Sequence, residues 1–182
     1  MEVALDSWIP HQFGEWFTLG DWNCRLHPAG HIPGAAMIEI KTPQATILWT
    51  GDLDTRDSPN APRAVPIDCD ILCMEGTYGG RTHPNRQEEE GRFVARVLEV
   101  VSRGGTALIP AFASGRGQDI LRILHKEAPG LNVHYDGMGT RVTREWLGCP
   151  EFIRDASQME SAYRWARSCL LYTSDAADDF VR

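Results

Sequence analysis

The stretch LHPAGHIPGAAMIEI, Leu26 to Ile40, decides how the chain is read. It sets two histidines, His27 and His31, around a Pro-Ala-Gly turn, adds Pro33 and Gly34, and then begins an apolar run. A loop at the end of a strand suits metal ligands, because the sheet fixes the loop while the side chains stay reachable. Gly30 and Gly34 let the backbone turn tightly beside His31, and Ala29 and Ala35 keep bulk away from it. A loop histidine taken alone is more often turn or surface than ligand, so the reading depends on what else the chain brings.

It brings a hairpin. AAMIEIK and ATILWTGD are rich in β-branched and aromatic residues, with TPQ between them. The second run ends in TGDLD, so Asp52 follows Gly51 at a strand terminus. A strand pair that brings His31 and Asp52 to one edge of a sheet places a nitrogen donor beside an anionic one. An aspartate can bridge two metals about 3.5–4 Å apart, and such a pair activates water and neutralises phosphate.

Downstream the character changes. DTRDSPNAPRAVP reads as a loop, CDILCME as a short buried strand, and GTYGGRTHP as a turn. Asn85 caps a helix with Glu88 at its third position, and Phe93, Val94, Val97, Leu98 and Val101 form one apolar face. The pair Gly104–Gly105 ends it. TALIPAFASGRGQDILRILHK reads as strand, small-residue turn and helix, and LNVHYDGMG as a further strand. Alternation of this kind implies βαβ units and a parallel sheet. The expected class is α/β, with a boundary near residue 74.

Composition narrows the function classes. The 182 residues carry a net charge of −7 and 42% hydrophobic residues, ordinary for a protein that buries a core. That charge argues against broad, nonspecific attraction to nucleic acid but leaves room for a local basic cleft. No run of about 18 apolar residues marks a membrane span. Five cysteines without a C-x-x-C pair fit reduced thiols, so a cytoplasmic location is expected.

The motifs AGHIPGAAMIEI, ILWTGDLD, DILCMEGTYGG, ALIPAFASGRGQDILRIL and VHYDGMG, in that order, resemble those of the β-CASP metallo-β-lactamase nucleases. The resemblance covers about residues 25–145. It implies a partial metallo-β-lactamase αβ/βα sandwich over residues 1–73 and part of a Rossmann-like β-CASP domain over 74–167. It implies that His31 and Asp52 are metal ligands, Asp52 the bridging one. Glu75 then matches the acidic residue that orients a general-acid histidine. Two zinc ions would make the hydroxide that attacks a phosphodiester, usually of RNA. His27 matches no ligand position and reads as a turn residue or neighbour. Pro33, Ala35 and Gly76 depart from the family's usual Leu, Ser and Ser without touching a ligand.

The family's His-x-His-x-Asp-His motif is absent, since no two of the six histidines are two apart. Its late histidines are missing as well. One histidine and one aspartate cannot hold a dinuclear centre. The expectation is an internal fragment, inactive alone, of a zinc-dependent ribonuclease. A non-catalytic RNA-binding or scaffold subunit of a nuclease complex, and a DNA-directed relative, are the alternatives.

Other residues carry weaker signals. ASGRGQDIL could present amides to an anion but lacks the spacing of a nucleotide-binding loop, so a plain strand-to-helix turn is the simpler reading. In the family reading Arg81 and Arg116 line a cleft for single-stranded RNA, where arginine can fork onto phosphate. Tyr78 stacks on an unpaired base or packs in the core. His83 has no partner that the sequence names. Trp16, Trp22 and Trp49 read as core or rim aromatics. The hairpin should expose an apolar face and an open edge, which predicts poor solubility or homodimerisation. SCLLYTSDAADD resembles a translated sequencing adapter, so residues 168–182 are expected to be a tail foreign to the fold.

Overall fold

The computed structural model describes residues 9–56 and 58–166. The expected adapter tail at 168–182 lies outside the described residues, as does Arg167. The chain divides into two compact units. One comprises the chain up to Ser58 together with Pro62–Gly76, the other Pro59–Ala61 together with the chain from Thr77 onward.

The first unit is a five-stranded sheet in sequence order: β1 (Trp16–Leu19), β2 (Trp22–Pro28), β3 (Ala36–Lys41), β4 (Thr46–Trp49) and β5 (Ile71–Cys73). The expected hairpin is β3–β4, antiparallel, with Ile38 opposite Trp49 and Ile40 opposite Ile47. Thr42 makes its tight connection, its Oγ1 accepting from the amides of Gln44 and Ala45. β5 runs parallel to β4, with Ile47 opposite Ile71 and Trp49 opposite Cys73.

Alternation along the strands gives the sheet two different faces. Met37 and Leu48 face one way and pack with Ala29 and Ala64 beneath the loop that follows residue 53, joined by Leu53, Ile67 and Cys69. The other face carries Leu26, Ile38, Ile40, Ile47, Trp49 and Ile71. Trp49 is 59% exposed and Ile71 48%. The run around Leu72, expected to be a buried strand, is therefore an exposed edge. Among the described residues β5 pairs with β4 alone, at the end of the strand order. Trp16 and Trp22 are also exposed at the sheet rim.

The second unit contains α1 (Arg86–Ser102), α2 (Arg116–Glu127), α3 (Met138–Leu147) and α4 (Ala156–Trp165). Asn85 caps α1 as its sequence predicts, Oδ1 accepting from the amides of Gln87 and Glu88. Val94 and Val97 of α1 meet Leu124 and Ala128 at the end of α2. Met159 and Ala162 of α4 are fully buried, as is Leu121 of α2. The strands expected within 106–110 and 131–135 do not form ladders in this unit among the described residues. Ala107, Ile109, Leu131 and Val133 still pack on the α1–α2 cluster. Leu108, between two of them, is 93% exposed. The alternating pattern thus directs one face of the segment onto the helices, but alternation alone cannot supply the partner strand that a ladder requires.

Candidate functional site

Strand direction gathers the candidate residues of the first unit. β2 and β4 are each antiparallel to β3, and β5 is parallel to β4, so β2, β4 and β5 all point the same way. Their C-terminal ends lie along one sheet edge. His31 follows β2, Asp52 follows β4 and Glu75 follows β5. Ligands to α/β sheets are commonly bound at the carboxyl ends of strands.

Finer contacts hold the three together. Gly30 and Leu53 form an antiparallel bridge, continued by the amide of Asp54 donating to the carbonyl of Ala29 at 2.8 Å. Continuing that register by one residue sets His31 opposite Asp52. Both are exposed. Gly30 is buried with φ +79°, and a Cβ there would come within 2.1 Å of the Asp54 carbonyl oxygen and 2.7 Å of the Ala64 nitrogen. Only glycine allows this approach. Gly51, at φ +56°, turns the chain immediately before Asp52.

Glu75 is half-buried and tied back to the same loop. Its Oε1 accepts from the Leu53 amide at 3.2 Å, and its own amide donates to Thr50 Oγ1 at 3.4 Å. The Thr50 amide in turn donates to the Cys73 carbonyl at 3.0 Å, extending the β4–β5 pairing towards the site.

Of the two roles expected for His27, turn residue or neighbour of the ligand, its position within a strand excludes the turn. It lies in β2, and its Nε2 is 2.8 Å from Oε2 of the buried Glu39. Arg25 donates to the same oxygen through Nε at 3.1 Å and Nη2 at 2.8 Å, while Lys41 Nζ is 3.6 Å from Oε1. Burial pushes the Glu39 carboxyl up, but the hydrogen bonds from Arg25 and His27 and the charges of Arg25 and Lys41 outweigh it and hold the group below its ordinary 4.5. The same cations flank Trp16, Arg25 at 4.4 Å and Lys41 at 4.6 Å from the ring centre. The sequence signal was the single acid inside the apolar run Met37–Ile40.

In the second unit, Arg116 opens α2 after Gly115, whose φ is +91°. Its guanidinium is largely exposed and lies 3.6 Å from Asp119 Oδ2. Arg86 Nη2 donates to that oxygen at 3.2 Å, and Asn60 Nδ2 to Oδ1 at 2.5 Å. Burial raises the Asp119 carboxyl, with Arg86 and Arg116 partly opposing it. The buried Gln118, which the sequence reading passed over, is the internal brace of the turn. Its Oε1 accepts from the Gly115 amide at 2.9 Å, while Nε2 donates to Ala113 O at 2.8 Å and Thr143 Oγ1 at 2.9 Å. The Gly115 and Gly117 amides are used inside the chain, the latter by Phe112 O, which fits a structural turn better than an anion cradle. Tyr78 is 57% exposed rather than packed in a core, and Arg81 is exposed in the same turn.

Among the described residues no group of three or more His, Cys, Asp or Glu side chains is placed to hold a metal ion. His31 and Asp52 are the right donor types for zinc, but two donors fall short of the three or four that a protein zinc site takes. Also among the described residues, no helix is long and apolar enough to cross a membrane.

No protein-family model matches the chain. Individual proteins do. RNase aCSPSF2 of Saccharolobus solfataricus is 35% identical over 163 residues, 88% of this chain and 33% of the relative. Probable RNase MJ4 of Methanocaldococcus jannaschii is 37% identical over 169 residues, 90% of this chain and 40% of the relative. Cleavage and polyadenylation specificity factor 73 of Drosophila melanogaster is 42% identical over 98 residues, 53% of this chain and 14% of the relative. The chain thus spans between a third and two fifths of the length of the two archaeal relatives. Related at this level to them over most of its own residues, and carrying the motif series from Gly30 to Gly139, the chain belongs to the β-CASP metallo-β-lactamase family.

Proposed function

We propose that this chain is part of a zinc-dependent ribonuclease that hydrolyses phosphodiester bonds of single-stranded RNA. In this reading residues 1–73 are the C-terminal portion of a metallo-β-lactamase-like domain and 74–167 part of a β-CASP domain. His31 and Asp52 are metal ligands, and the ligands that complete the site come from outside this chain. Glu75, tethered to Leu53, orients the acid–base machinery. Tyr78, Arg81 and Arg116 contact RNA. The bound metals supply Lewis-acid chemistry, lowering the pKa of water and neutralising phosphate charge.

The observation that carries the reading is the convergence of three strand ends, with a bridge at Gly30–Leu53 that opposes an imidazole position to a carboxylate position. The names of the relatives, ribonucleases and a cleavage and polyadenylation factor, support RNA as the substrate. Retention of both donor types favours an active enzyme over a non-catalytic subunit.

The test is cleavage of a labelled single-stranded RNA by the whole protein and by the 182-residue chain, with and without a strong chelator. The whole protein should cleave and lose activity on chelation, and the isolated chain should not cleave. Cleavage by the whole protein that is indifferent to chelation would contradict the proposal.

A further inference from the structure

We infer that Tyr78 and His83 form a built stacking platform for one unpaired base of RNA, with Arg81 placed for the adjoining phosphate. This rests on the RNA reading above and adds to it a role for His83. The two rings lie 4.5 Å apart between centroids, tilted by 51°. The pair is tilted and not stacked face to face, and Tyr78 remains 57% exposed. An exposed aromatic face beside a second ring is the feature on which bases stack in single-strand grooves.

The backbone fixes the pair from both sides. The Arg81 amide donates to the Tyr78 carbonyl at 3.0 Å, closing a turn through Gly79 and Gly80. Gly80 adopts φ +73°, which suits glycine at the third position of such a turn. Pro84 holds His83 out of the helical region, and Asn85 then caps α1. A Cβ added at Gly80 would meet nothing within 4 Å, so the turn that carries Tyr78 is itself uncovered. The turn backbone that carries Tyr78 is thus set before binding, which lowers the ordering cost. Stacking is tolerant of base identity, so the expected ligand is any unpaired nucleotide, and duplex RNA with its bases already stacked is disfavoured.

The experiment is a fluorescence-anisotropy titration of the whole protein, held from cleavage by a chelator, with oligouridylate and with a duplex RNA of equal length, alongside Tyr78→Leu, His83→Ala and His83→Phe. Circular dichroism of each variant reports folding. Parent and His83→Phe should bind oligouridylate alike, His83→Ala several-fold more weakly, and Tyr78→Leu about tenfold more weakly, with unchanged spectra. A second readout is photocrosslinking of 5-iodouridine RNA to the parent, expected on the peptide 78–83. Single-strand binding unaffected by Tyr78→Leu, or crosslinks confined to other peptides, overturns this inference and leaves the RNA reading standing. Failure of the parent protein to bind single-stranded RNA at all counts against the RNA reading and takes the platform with it.

Discussion

The carbonyl oxygen of Asp54 closes over Gly30 so tightly that a Cβ on residue 30 would lie 2.1 Å from it. That approach locks the segment carrying His31 onto the segment carrying Asp52. It makes glycine a requirement of the site, since the turn, the register and the position of the imidazole all pass through this contact.

Gly30→Ala should therefore destabilise the first unit by roughly 2–4 kcal/mol, the sum of a left-handed backbone for an L-residue and an overpacked contact with backbone. Urea unfolding followed by tryptophan fluorescence measures it. A change within about 0.5 kcal/mol, the scale of an ordinary surface substitution, would show that the contact is not made.

The buried Glu39 makes a pH-dependent contribution. Its carboxyl is held below 4.5, so the stability it supplies is present above that value and is lost as pH falls through the lower folded value. Melting curves from neutral pH down to about pH 3 should show this loss. Glu39→Gln should cost about 3 kcal/mol at neutral pH by leaving Arg25 and His27 uncompensated, and the gap should narrow in acid. A gap constant with pH would refute the assignment.

Gln118 tests the second unit. Gln118→Leu keeps the volume but leaves the Gly115 amide and the Ala113 carbonyl without this partner, at a cost of about 1–3 kcal/mol. Hydrogen exchange should then accelerate at the start of α2 while α1 stays protected. Unchanged exchange at Gly115 would place the brace elsewhere.

The exposed face around Ile47, Trp49 and Ile71 predicts self-association of the isolated chain. Light scattering should give a mass above the 20.3 kDa of one copy, and Trp49→Ser should lower it. A monodisperse monomer with a sharp melt would contradict the prediction.

How much of this was written in the sequence differs from residue to residue. The β3–β4 hairpin and the Asn85 cap were legible because both are local: alternation across Thr42–Gln44, and a side-chain acceptor ahead of an apolar helical face. Gly30, Gly34 and Gly51 mark the turns beside His31 and Asp52, but it is the resemblance of the motif series that points to the pair as ligands. What fixes their juxtaposition, the Gly30–Leu53 bridge, spans 23 residues and leaves no local trace. Glu39 is a single acid inside an apolar run, a signal without a local explanation, because its partners Arg25 and His27 come from another strand. The segment 106–110 shows the converse. Its pattern is that of a strand, yet pairing depends on a neighbour the pattern does not encode.

The most direct test of the central claim is metal content. The whole protein should be purified as wild type, His31→Ala and Asp52→Ala, and its zinc measured by mass spectrometry, with melting temperature taken in parallel. Each variant should lose zinc relative to wild type, and RNA cleavage should fall by about a thousandfold or more, the scale of losing a metal's Lewis-acid stabilisation. Two folded variants with full zinc and wild-type cleavage would contradict the account.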